Sequence, residues 1–148
     1  LHRAREQHFF EGPKIIALRK CPKEPIFTYT DFDCYVSQTF FVIQSDRINL
    51  KYLTALFNSR LIQFWLRRKG KMQGNSYQLD KEPILEIPIY KPDKKKELEI
   101  ASLVDEVISA KVQGGGYNDT IAEIDKQIYT LYNITSEEQK LIESQLKS

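Results

Sequence analysis

Along the first third of the chain, short apolar and alternating runs are separated by turn residues; beyond it, apolar residues recur every three or four positions. KIIAL (Lys14 to Leu18) follows Gly12-Pro13, a start signal for a strand. IFTYT (Ile26 to Thr30) alternates and is rich in aromatic and β-branched residues, which suit a half-buried pleated surface. Asp31 to Asp33 reads as a turn, and CYVS and TFFVI (Thr39 to Ile43) read as further strands. The period then changes. Leu50, Leu53, Leu56, Phe57, Leu61, Phe64 and Trp65 fall on one helical stripe, with Asn49 as N-cap and Gly70 as the stop. KMQGNSYQL is a polar loop bent at Gly74 that closes in a short strand, Ser76 to Leu79. Ile87 to Ile89 predicts a strand ended by Pro92. Asp93 is the natural cap of a long helix from about Lys94 to Gln113. After the break at Gly114 to Gly116, Ile121, Ile124, Ile128 and Leu131 mark a second helix, so a helical hairpin is expected rather than a long coiled coil. Thr135 and Glu138 match a capping box ahead of a last helix carrying Leu141, Ile142 and Leu146. The pattern predicts an α+β protein. A small mixed β-sheet domain with a packed helix occupies 1–92, and a C-terminal helical region occupies 93–148.

Composition narrows the class. With 148 residues, 41% apolar and 28% charged, the chain is globular, and no apolar run approaches a membrane span. The opening at Leu1 gives the expectation of a piece of a longer protein with a partner upstream. Cys21 and Cys34 lack zinc-ligand spacing and read as reduced thiols of a cytoplasmic protein. Charge changes the picture most. Residues 1–79 hold 13 Lys and Arg against 6 Asp and Glu, a net +7, whereas residues 80–148 hold 9 against 14, a net −5. One half is suited to a polyanion and the other is not.

The positive charge peaks in Arg67, Arg68, Lys69 and Lys71, with no acid until Asp80. The first three also suit a helix C-terminus, where the dipole favours cations. The dipole does not account for the residues after Gly70. Gln73 and Asn75 can bond an adenine edge bidentately, and Ser76 and Tyr77 can bond or stack. Arg19 and Lys20 add cations after the first strand. Catalytic machinery is absent from the sequence: there is no GxGxxG, P-loop or GxSxG motif. The Asx-Pro-Pro-aromatic signature of amino-methyltransferases is also missing, and His2 and His8 lack a nucleophile or carboxylate partner. Pro92-Asp93 with Glu138-Gln139-Lys140 spells a PD…ExK nuclease, but these acids fall on helices, whereas that core needs adjacent strands to share a metal. No catalytic and no metal-binding residue is assigned.

Several segments, in order, resemble one family. LHRAREQHFFEGPKIIALRK is similar to its His-Arg-x-Arg and Phe-Glu-x-Pro-Lys-Ile opening, and FTYTDFDCYVSQTFFVI to its paired strands. NLKYLTALFNSRLIQFWLRRKGK resembles its helix and basic turn, and IPIYKP its approach to the long helix. IAEIDKQIYTLYNITSEEQKLIE resembles its terminal helix pair. The family is the TaqI-like C-terminal specificity domain of type IIG restriction–modification enzymes, related to type I specificity subunits. Cys21 to Pro25 departs from it in carrying Glu24, and Gly114 to Gly116 in breaking the helices.

The resemblance implies a non-catalytic DNA target-recognition domain that positions double-stranded DNA for an upstream N6-adenine methyltransferase or endonuclease. S-adenosylmethionine and Mg2+ are implied only for that parent enzyme, and the fragment itself needs no cofactor. Arg19, Lys20, Arg67, Arg68, Lys69 and Lys71 would hold phosphates; Gln73, Asn75, Ser76 and Tyr77 would read bases. The acidic helices would pack on the methyltransferase or on each other. The oligomeric state stays open. The competing class is a protein-interaction module whose basic loop is only a solvated face.

Overall fold

Segments rich in β-branched and aromatic residues pair as strands in the computed structural model, which describes residues 11–21, 25–32, 40–69, 71–73, 76–78 and 81–147. The strands are β1 (Lys14–Leu18), β2 (Lys20–Cys21), β3 (Phe27–Thr30), β4 (Phe40–Ile43), β5 (Lys71–Gln73) and β6 (Ser76–Gln78). They form two three-stranded sheets, ordered β3-β1-β4 and β2-β6-β5. Every described pairing is antiparallel, where a mixed sheet was expected. In β1, Ile15 and Ala17 are buried and define the face that meets the helices. Lys14 is buried too, and its ammonium donates to the carbonyls of Gly12 and Phe32, both at 2.9 Å. Those bonds answer the cost of taking a cation out of water.

The expected long helix is two. α1 (Leu50–Asn58) starts at Asn49, whose side chain accepts from the amides of Lys51 and Tyr52. It stops at Ser59, which is extended at ψ 153°. α2 (Arg60–Lys69) follows at once. The Ser59 hydroxyl donates to the Leu56 carbonyl at 2.6 Å and accepts from the Ile62 amide at 3.3 Å, so one residue closes α1 and opens α2. The apolar period runs on across this break, which is why periodicity read a single helix. At the end of α1 the Asn58 amide bonds both backbone groups of Phe27, at 2.9 and 2.7 Å, joining the helix to β3 much as another strand would. The rings of Phe27 and Phe57 meet 5.1 Å apart beside it.

The strand expected over Ile87 to Ile89 does not form. A short helix, α3 (Lys81–Leu85), comes first, and residues 87–92 are irregular. Pro88 and Pro92 remove two amide donors, and tyrosine hydroxyls serve three of the groups that remain. Tyr52 donates to the Tyr90 carbonyl and Tyr132 to the Pro88 carbonyl, each at 2.5 Å, while the Tyr90 amide donates to the Tyr132 hydroxyl at 2.8 Å. α4 (Lys94–Gln113) is capped by Asp93 and closed by Gly114 in the left-handed region, φ 75°. α5 (Asn118–Leu131) and α6 (Ser136–Lys147) complete the chain. Thr135 and Glu138 form the expected capping box, with bonds of 3.1 and 2.8 Å. α4 packs on α1 and on α5, and α6 packs on α2. One buried cluster joins Ile15, Phe27, Leu56 and Leu66 to Ile100, Val104, Ile124 and Ile128, so the core is continuous across residue 92. The α+β class stands. The expected CYVS strand, like Asn75 and Leu79, lies outside the described residues.

Candidate nucleic-acid interface

The smaller sheet places residues far apart in sequence side by side. Lys20 in β2 stands opposite Gln78 in β6, and Gln78 opposite Lys71 in β5. The next row is Cys21, Tyr77 and Met72, and beyond it Gln73 faces Ser76. Gln78, paired with both Lys20 and Lys71, is a polar residue that motif reading passed over. The signal available was its two-residue spacing from Ser76.

This sheet continues directly from the basic end of α2. Arg67, Arg68 and Lys69 are exposed there and oppose the negative end of the helix dipole. Their surroundings differ. The Arg67 guanidinium donates to the Gln145 carbonyl of α6 at 2.9 Å. Arg68 leans over the Phe64 ring at 5.5 Å and Lys69 over the Trp65 ring at 5.9 Å, each one turn back. Neither Arg68 nor Lys69 is ion-paired with a carboxylate among the described residues, so both charges face solvent. Arg19, between β1 and β2, stacks 4.1 Å from the Phe41 ring centroid, which fixes its guanidinium on the larger sheet. The β2–β6 pairing thus puts Lys20 in the sheet whose strand β5 begins two residues after Lys69.

Other charges are neutralised within the fold. Arg60, also on α2, has a short ion pair with Glu143 and a looser one with Asp125 at 3.7 Å. Asp125 also accepts from the Arg60 amide at 2.9 Å, capping the start of α2 from α5. Burial pushes the Asp125 carboxyl above its ordinary value, although the Arg60 amide and charge pull it down. The acids of the nuclease-like letters are occupied by helix ends. Asp93 accepts from the Lys96 amide, and Glu138 from that of Thr135. No cluster of three or more His, Cys, Asp and Glu suited to a metal occurs among the described residues.

The model of the TaqI-like C-terminal specificity domain matches residues 1–89, a span that includes β1 to β6 and stops before α4. The chain is also similar to two curated proteins, the type II methyltransferases M.HincII of Haemophilus influenzae and M.HindII of Haemophilus influenzae strain Rd. Each is 30% identical over 69 residues, 43% of this chain. That region covers 14% of the first relative and 13% of the second.

Proposed function

The chain belongs to the TaqI-like C-terminal specificity domain family, and we propose that it supplies DNA target recognition to a restriction–modification enzyme. In this reading it holds duplex DNA for an N6-adenine methyltransferase domain of the same enzyme, one of type IIG architecture with an endonuclease, acting in the cytoplasm. The chain is a non-catalytic module. S-adenosylmethionine and Mg2+ serve the rest of the enzyme.

The observation that carries this reading is the row Lys20, Gln78 and Lys71, set beside the exposed Arg68 and Lys69. Cations flanking amide side chains suit a groove, because cations hold the phosphates while amides address base edges. Arg19, Lys20, Arg67, Arg68, Lys69 and Lys71 are the phosphate contacts. Gln73, Asn75, Ser76 and Tyr77 are the readers, joined by Gln78.

The test is DNA binding by the full-length protein at several salt concentrations. Lys71→Gln and Arg68→Gln each weaken all duplexes alike and make log K against log salt shallower by about 0.9. Gln73→Ala or Asn75→Ala instead relaxes preference at one or two positions. An equal loss on every sequence from Asn75→Ala removes Asn75 from the readers. A second reading, a protein-docking role for the helical region, is favoured by Leu98, Ile108, Val112 and Ile121, which are exposed on the α4–α5 hairpin. Partner binding that ignores salt, with no affinity for DNA, would establish that role instead.

A further inference from the structure

A second concentration of positive charge lies at the opposite end of β1 from the Lys20 row. A cleft of about 580 Å³ opens there, beside Pro13, and its lining includes Arg47, Lys51, Lys91 and Lys94, with Asp46 and Glu97 as the acids. The first turn of α4 contributes Lys94, Lys95 and Lys96. That sign is disfavoured at a helix N-terminus, where the dipole is positive. Of these, Lys94 lines the cleft, and a lysine placed there against the dipole suits an outside anion better than it suits the helix.

The helix ends themselves are already satisfied. Asn49 caps α1 and Asp93 caps α4 through their side chains, so the cleft's charge comes from cationic side chains. The buried Glu97 faces inward, accepting from the Asn49 amide at 3.4 Å, and Asp46 is exposed. Two of the cations are engaged: Lys51 with Asp105 at 2.6 Å, and Lys91 with the Arg47 carbonyl at 2.8 Å. Lys94 is 79% exposed and only loosely paired with Glu97, at 3.8 Å. Arg47 is exposed and has no acid partner among the described residues. Arg47 and Lys94 are therefore the cations offered outward.

The distance suits one duplex. From Lys14 to Lys20, across the bend at Arg19, the chain reaches at most about 20 Å at 3.3 Å per residue. A single DNA strand spans that in about six nucleotide steps of 3.4 Å. We propose that the cleft is a second DNA-backbone site, with Arg47 and Lys94 as its phosphate contacts. It rests on the DNA-recognition reading above and extends the interface to the far end of β1.

The experiment compares full-length wild-type protein, Arg47→Gln/Lys94→Gln, Lys95→Gln and Lys71→Gln in DNA binding between about 50 and 200 mM salt. The double variant is expected to be shallower by about 1.8 in salt slope, at 0.9 per phosphate, with sequence preference retained. Lys95→Gln removes a neighbouring charge outside the cleft and should change the slope far less. A double-variant slope equal to wild type overturns the proposal, as does a Lys95→Gln loss of the same size. Titration with inorganic phosphate, followed by NMR, separates the sources. Phosphate shifts at the cleft with an unchanged DNA slope would assign it to a free anion and overturn the DNA assignment. If Lys71→Gln weakens binding and the double variant does not, the cleft fails alone. If the wild type shows no salt-dependent binding, the DNA reading itself fails.

Discussion

Arg67 and Arg68 are neighbours with different obligations. Arg67 ties α2 to the Gln145 carbonyl, whereas Arg68 only leans over Phe64. Arg67→Ala is expected to lower stability by a few tenths to about 1 kcal/mol, and Arg68→Ala to leave it unchanged, as urea denaturation would measure. Asp125 carries a pH dependence. Its raised native carboxyl holds a proton longer than the unfolded chain does, so its effect on stability is most favourable below the ordinary carboxylate value. Stability then falls as pH climbs through the raised value. Asp125→Asn keeps an acceptor for the Arg60 amide, and its urea midpoint should fall less across that window. Caps were legible at this scale because Asn49, Asp93 and Thr135 bond amides two or three residues away. Asn58, whose partner Phe27 lies in β3, was not, because nothing local announces a contact that distant.

Elements were read well where one period ran between two breakers, as in α4, framed by Asp93 and Gly114. They were misread where a period outlived its hydrogen bonds. The stripe from Leu50 to Trp65 is unbroken, yet Ser59 divides it. Ser59→Ala removes the hydroxyl serving both helices and should cost about 1 to 2 kcal/mol in urea unfolding. Gly114→Ala tests the other end of the helical region. A Cβ there meets nothing within 4 Å, but φ stays at 75°, so the cost is conformational, about 1 kcal/mol. Gly116→Ala, with open space and no positive φ, should be close to neutral in the same assay. The strand misassigned at Ile87 to Ile89 shows the reverse error. Its apolar letters suit a sheet, but two prolines and the hydroxyls of Tyr52 and Tyr132 settle its backbone otherwise.

For the molecule as a whole, the class and the split of charge between halves were legible, because both follow from composition and period. The arrangement of the candidate interface was not, since it depends on which strands pair. The buried cluster runs from Ile15 to Ile128, so sheet and helices should unfold in one transition. Coincident urea curves by near- and far-ultraviolet circular dichroism would check this; two separated transitions would mean two independent units. The two-residue strand β2 has a further consequence, for the order of events in folding. Lys20 gains its neighbour Gln78 only after β3, β4, α1, α2 and β5 have intervened along the chain. Closing so long a loop is entropically expensive and comes late. A ribosome must therefore release the chain through Gln78, just over half of these 148 residues, before the cationic row can assemble, and nascent chains stopped short of β6 carry the lysines without the surface.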